Sequence, residues 1–262
     1  MNHTFEEISI STGDTSAKIA PGRGAIVTSF TINITKILFL DRETFNDATK
    51  NVRGGIPLLF PNAGPLKGGI FNLPQHGFAR KMPWQVSGSQ PDSLTLKLRS
   101  NMKTRENYPF DFELTLNVEV RKNRLIHNLK VKNMGDKPMP TAYGLHPYFS
   151  IPQTDKQELV TNIAGFDPAE VNWQEEFDRS FANPGLIRVV MPGRKITVQT
   201  DPAIFQVARI WHLPGKNFIC FEPWTRDNFA LDDPEHSLWV KPDESVTLSM
   251  AISYIDNNDN AL

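Results

Sequence analysis

Residues 53–80 begin Arg-Gly-Gly-Ile-Pro-Leu-Leu-Phe-Pro and end Leu-Pro-Gln-His-Gly-Phe-Ala-Arg, which sets Arg53, His76 and Arg80 among six Gly and four Pro. Backbone so rich in tight bends and fixed φ angles can aim a few polar side chains at a small ligand, which packed strands alone cannot. Two later segments, Tyr143-Gly-Leu-His-Pro-Tyr-Phe149 and Phe218-Ile-Cys-Phe-Glu-Pro-Trp-Thr225, each put one titratable group into an apolar run broken by Pro. A His and a Glu in such surroundings need a reason to be there. An imidazole and a carboxylate, both tunable toward neutral pH by burial, make an acid and a base that require neither metal nor nucleotide.

These three segments resemble the aldose 1-epimerase, or galactose mutarotase-like, family over nearly the whole chain and in the same order. Members of that family carry a His in a Gly-Phe-Ala-Arg context, a second His before Pro-Tyr-Phe and a Glu before Pro. The resemblance implies interconversion of the α and β anomers of an aldohexose. A base removes the C1 hydroxyl proton, an acid on the opposite side of the sugar protonates the ring oxygen, and the opened ring recloses from the other face.

Glu222 is the expected base. Its apolar neighbours should raise its pKa, and Pro223 biases it toward extended backbone at a strand end; the competing reading is a strand-edge Glu facing solvent. His146 is the expected acid, aimed by Gly144 and Pro147, against the alternative of a core His satisfied by backbone. His76 is expected to hydrogen-bond a sugar hydroxyl or the ring oxygen, or else to brace its loop. Arg53 and Arg80 can offer planar donor forks to hydroxyls or to phosphate. The Arg-Gly-Gly-Ile-Pro and Gln-His-Gly-Phe-Ala-Arg runs are similar to the hexose-6-phosphate branch of the family, although Gly-Phe-Ala-Arg also occurs in branches acting on free sugars, and Arg53 also reads as a solvated charge.

Asp178 is carried over because family members place an Asp between the second His and the Glu; Glu175, Glu176 and Asp178 equally form a solvated acidic loop. Trp224 and Trp84 are candidates for stacking on a pyranose face or for core packing. Cys220 would face the same side as Glu222 in a regular strand and reads as buried packing. Among the six histidines, His3 is terminal, His127 falls on an apolar strand face, and His212 and His236 fall in loops. No two histidines have a metal-ligand spacing, so no metal and no cofactor is expected.

The elements that must position these groups read as strands. Phe112, Leu114, Leu116, Val118 and Val120 alternate with polar residues, as do Leu125, His127, Leu129 and Val131 after a turn at Arg121-Lys-Asn123; together they predict an antiparallel hairpin. A third such run spans Val246 to Tyr254, and shorter candidates cover 5–11, 26–31, 94–98, 187–191, 204–211 and 218–222. No segment holds a helical period over three turns. With 20 Pro and 16 Gly between the strands, the expected fold is all-β, an antiparallel β-sandwich of the galactose mutarotase-like supersandwich kind. One catalytic domain over 1–255 and a polar tail over 256–262 are expected.

Composition narrows the partner. A net charge of −1 across 262 residues gives no field for nucleic acid or an anionic membrane. One cysteine cannot form an internal disulfide, and no secretion signal or spanning run is legible, so a cytoplasmic protein is expected. The expected partner is an aldose or aldose 6-phosphate, and the oligomeric state is left open. A non-catalytic carbohydrate-binding module is the rival reading, since it would share the sandwich and aromatics without needing an acid and a base.

Overall fold

In the computed structural model, which describes residues 5–256, the period-two runs become the spine of the molecule. Phe112–Arg121 and Arg124–Asn133 pair antiparallel from Phe112 opposite Asn133 to Arg121 opposite Arg124, so the turn itself is Lys122 and Asn123, with Asn123 at φ 56°. Burial alternates along both strands as their sequences require. They sit inside an eight-stranded antiparallel sheet. Its order is Val160–Thr161, Leu186–Met191, Arg194–Thr200, Ser245–Asp256, Arg124–Asn133, Phe112–Arg121, Ser93–Arg99, Gln85–Gln90.

A second, six-stranded antiparallel sheet carries the chemistry-bearing segments. Phe177–Ala182, Val207–His212, Phe218–Trp224, Gly144–Leu145 and Leu58–Leu59 follow one another, and Tyr148–Ser150 also pairs with Phe218–Trp224. Leu114, Leu116 and Val118 of the large sheet and Ala208, Ile210, Ile219 and Phe221 of this one belong to a single buried cluster. That cluster also takes in Ile10, Ile19, Val27 and Phe30 from a four-stranded meander, Ile8–Thr12, Thr15–Ala20, Ile26–Ile32 and Thr35–Lys36. The all-β antiparallel architecture read from the sequence is therefore the one observed.

Several details differ from the sequence reading, each for a local reason. Two one-turn helices, Arg42–Asn46 and Met102–Arg105, are too short for a period to reveal; Asp41 and Asn101 cap them by accepting backbone N–H bonds. The strand expected over 204–211 starts only at Val207, because Asp201 ties Ala203, Ile204 and Phe205 into a turn. His212, expected in a loop, ends that strand fully buried. Phe218–Trp224 runs two residues past its expected end and contains Pro223. An N–H at 223 would point, like that of Thr225, toward the strand of Gly144 and Leu145, which is interrupted at His146 and Pro147, so little pairing is lost there.

Asp256, assigned to the polar tail by its side chain, ends the Ser245–Asp256 strand opposite Arg194; 257–262 and the terminal His3 lie outside the described residues. Among the described residues no helix is long and apolar enough to cross a membrane.

His127 sits on the apolar face as its position in the alternation requires, fully buried, with neither ring nitrogen hydrogen-bonded. Burial lowers its pKa from 6.5 to about 4. The folded state therefore resists protonation that the unfolded chain accepts, and stability falls as pH drops from about 6.5 to about 4. At about 1.4 kcal/mol per pKa unit the loss is of the order of a few kcal/mol. His127→Leu should hold stability at neutral pH and flatten this acid slope; urea midpoints of both proteins at several pH values between 7 and 4 check it, and parallel slopes would refute it.

Candidate active site

The interrupted strand is what builds the site. Gly144 pairs with Trp224 and Tyr148 with Cys220 across the same neighbour, and this register places His146 opposite Glu222. The backbone N–H groups of His146 and Tyr148 donate to the carbonyls of Pro57 and Gly55, at 3.1 and 3.0 Å, so the Gly-Gly-Ile-Pro segment holds the imidazole in place from the other side. Gly144 permits the approach, since a Cβ there would lie 2.6 Å from the Trp224 ring. Along Phe218–Trp224 the odd-numbered side chains Ile219 and Phe221 join the main core. The even-numbered ones, Cys220, Glu222 and Trp224, face the opposite way.

His146 Nε2 and Glu222 Oε1 are 3.3 Å apart, with the side chains only 8% and 2% exposed, so the pair stands side by side and not, as expected, on opposite sides of a sugar ring. Burial raises the Glu222 pKa well above 4.5, helped by Asp178 and opposed by the Trp224 Nε1–H donated to Oε2 at 3.1 Å and by Arg209 and Arg80. Burial also pushes His146 well below 6.5, with His76, Arg80 and Arg53 adding to it. Both shifts favour the neutral forms, a protonated carboxyl beside an unprotonated imidazole. The imidazole is clamped by rings, stacked on Tyr148 at 4.6 Å and 8° and meeting His76 and Trp211 edge-on at 5.6 and 5.5 Å.

Both residues line a cavity of about 700 Å³ together with His76, Arg80, Arg53, Asp178 and Trp224, a size within the roughly 300–1,000 Å³ of small-molecule sites. His76 adopts a left-handed backbone at φ 68°, and Gly77 follows at φ 64°, where a Cβ would collide with the Phe60 carbonyl. His76 Nδ1 contacts the Ala63 carbonyl oxygen, so Nδ1 carries the hydrogen and Nε2 is left as an acceptor. Burial and Arg80 lower its pKa to about 4, which keeps the ring neutral. His76 thus both braces its loop and lines the cavity.

Arg80 is half-buried and remains charged, its pKa lowered by burial to about 10. Its Nε has no hydrogen-bond partner and one Nη donates to the Gln75 carbonyl at 3.2 Å. Arg53 lies exposed on the rim with its guanidinium 5.8 Å from the Trp211 ring. Among the described residues neither arginine is ion-paired, and Lys50 and Lys81 line the same wall.

Asp178, for which a solvated acidic loop was the alternative to sugar binding, lies on the strand Phe177–Ala182, opposite Trp211, lines the cavity and pairs with Arg209 at 2.5 Å. Trp84 is not on the cavity: it is buried in the core and donates to the Ala79 carbonyl at 3.2 Å. Cys220 is buried as expected, on the Glu222 side of its strand. Spacing along the chain offered no metal-ligand pair, yet the fold gathers ligand atoms of His146, Cys220 and Glu222 within 4.8 Å of one another.

Tyr148, Arg209 and Trp211 are among the cavity residues missed from sequence, as are Lys50 and Lys81. A signal for Arg209 and Trp211 existed, because they alternate with the apolar Ala208 and Ile210, which marks one face of a strand as polar and aromatic. Arg209 stands opposite Glu222, with its guanidinium 5.4 Å from the Trp224 ring.

A family model for aldose 1-epimerase matches residues 6–167. The Slr1438 protein of Synechocystis sp. PCC 6803 is 31% identical, superposes with a TM-score of 0.91 and matches over 98% of each chain. A galactose mutarotase related enzyme of Lactobacillus acidophilus, 21% identical with a TM-score of 0.79 over 98% of this chain and 100% of its own, shares the fold. A protein of Escherichia coli (strain K12) named "Putative glucose-6-phosphate 1-epimerase" is 23% identical over 209 residues, 76% of this chain and 67% of its own length. One of the same name from Cenchrus ciliaris is 28% identical, over 86% of this chain and 77% of its own.

The His76 geometry has a direct check. Long-range 1H–15N NMR spectra should show its Nδ1–H tautomer, with no imidazolium until the pH approaches about 4; an Nε2–H tautomer, or protonation near 6.5, would contradict the assignment.

Proposed function

The chain belongs to the aldose 1-epimerase family and is an isomerase of that class, and we propose that Glu222 and His146 are the base and acid that open and reclose the sugar ring. The observation that carries this reading is the 3.3 Å approach of His146 Nε2 to Glu222 Oε1 on the wall of one cavity. Burial favours the neutral pair; moving one proton from Oε1 to Nε2 makes a carboxylate and an imidazolium, a form that Arg80 and Arg209 favour on the Glu222 side. Glu222 then takes the C1 hydroxyl proton while His146 protonates the ring oxygen. After rotation about C1–C2 the proton transfers run in reverse and the other anomer forms. No group outside the pair is needed to balance protons.

The remaining residues orient the ring. His76 Nε2 accepts a sugar hydroxyl, Asp178 and Arg209 accept and donate to others, and the Trp224 ring offers an apolar surface. A cytoplasmic location accords with the lone thiol.

Within this reading a 6-phosphorylated hexose is favoured over the free sugar. Arg53 and Arg80 carry charge without a carboxylate partner on the cavity wall, beside Lys50 and Lys81, and the relatives of E. coli and C. ciliaris bear a glucose-6-phosphate 1-epimerase name. Free arginines on a cavity wall match the bidentate geometry of phosphate.

Anomer exchange followed by NMR on glucose, galactose and glucose 6-phosphate tests these assignments. Glu222→Gln should cut turnover about a hundredfold or more while leaving sugar affinity within about tenfold. A wild-type protein that binds sugar without accelerating exchange would instead be a carbohydrate-binding module.

For the phosphate, Arg53→Ala is the cleaner probe, because Arg53 is exposed on the rim and is the smallest of the influences on His146, whereas Arg80 acts on His76, His146 and Glu222 alike. It should raise KM for the 6-phosphate about tenfold or more, the scale of a lost charge-assisted contact, and affect the free sugar far less; equal effects on both substrates would remove the phosphate assignment.

The pH profile of kcat/KM should be a bell. Its acid limb lies below the ordinary histidine range and its alkaline limb above the ordinary carboxylate range, and Glu222→Gln should abolish the bell.

A further inference from the structure

We propose that the acid–base pair and Cys220 together form a binding site for a thiophilic divalent cation, represented by Zn²⁺, and that such a cation inhibits the enzyme by occupying both catalytic residues. The three donors are an imidazole nitrogen, a thiol sulfur and a carboxylate oxygen, all buried and within 4.8 Å of one another. That is a donor set zinc accepts. With metal–nitrogen and metal–oxygen bonds of about 2.0–2.1 Å, a tetrahedral centre spaces those two donors about 3.3 Å apart, and His146 Nε2 and Glu222 Oε1 are 3.3 Å apart.

The architecture explains why the third donor is there. Cys220 and Glu222 are two residues apart on one strand and face the same side, while Tyr148, whose ring stacks on His146, pairs with Cys220 across the sheet. The strand break that brings the imidazole to the carboxylate thus also brings it to the sulfur. His146 and Glu222 reach the cavity, which leaves a route of entry and a fourth coordination position for water.

Binding releases the thiol proton, and the carboxyl proton where one is held, to solvent; thiolate, carboxylate and the neutral Nε2 lone pair form the three bonds, and no electron is transferred. Two anionic ligands neutralise a divalent ion beside Arg80 and Arg209. Sulfur and nitrogen donors exclude Mg²⁺ and Ca²⁺, which prefer oxygen.

The binding arm of the test stands without the acid–base assignment, and only the inhibition arm rests on it. Titrating the purified protein with Co²⁺ should bring up a near-ultraviolet sulfur-to-metal charge-transfer band, displaced by Zn²⁺ and untouched by Mg²⁺. Cys220→Ser should lose the band and bind Zn²⁺ about tenfold or more weakly, the scale of removing one contributor to a metal site.

Zn²⁺ should also suppress wild-type anomer exchange in competition with hexose, reversibly on chelation. Absence of the band in wild type, or equal Zn²⁺ affinity in Cys220→Ser, overturns the site. Should that variant not fold, failure of saturating hexose to displace Co²⁺ from wild type does the same. Metal binding with the band present but without inhibition would keep the site and count against the acid–base roles.

Discussion

A break in one strand, held in register on both sides, is the constraint on which the site depends. Gly144 and Tyr148 remain paired with Phe218–Trp224, so the residues between them cannot slide, and His146 must stand across from Glu222. Buried at 7% and 1% exposure, neither side chain can relax toward water. The cost of burying two ionisable groups is limited because one shared proton leaves both neutral.

The same pairing organises everything around it. Neighbouring strands place Arg209 opposite Glu222 and Trp211 opposite Cys220, and one strand further Asp178 opposite Trp211. A six-stranded sheet with one apolar face against the large sheet and one polar, aromatic face against the cavity therefore serves as wall and as framework at once. The loop of 53–80 closes the other side, with His76 held by the Ala63 carbonyl and with backbone carbonyls that steady the His146 strand. Side chains locked by packing and by their neighbours' hydrogen bonds lose little entropy when a ligand arrives.

Seven of the residues singled out from sequence, Glu222, His146, His76, Arg80, Arg53, Asp178 and Trp224, line one cavity. Glu222, His146 and His76 were legible because a carboxylate or imidazole inside a Pro-punctuated run contradicts its surroundings, whereas Asp178 was carried over from the family resemblance and Trp224 was taken as an aromatic beside the base. Trp84 was not separable from Trp224 on those grounds, since an indole fits core and pocket equally well; its Nε1–H partner in the core decides the matter. Arg209 and Trp211 left only the weak signal of a polar, aromatic strand face, and Tyr148 was overshadowed by His146 two residues before it. Their partners across the sheet, Glu222 and Cys220, are what make them part of a site.

Alternation along Phe112–Arg121, Arg124–Asn133 and the last long strand determined, before any coordinates, that the chain is an antiparallel β protein, because a period of two is imposed by strand geometry itself. The local contexts of Glu222 and His146 likewise marked them as chemical. What the tertiary structure alone decided is distance. That a thiol, an imidazole and a carboxylate from two strands share one small volume, and that two arginines are left without carboxylates, follows from strand order and register, which are set by contacts between residues far apart in the chain and not by the residues beside them.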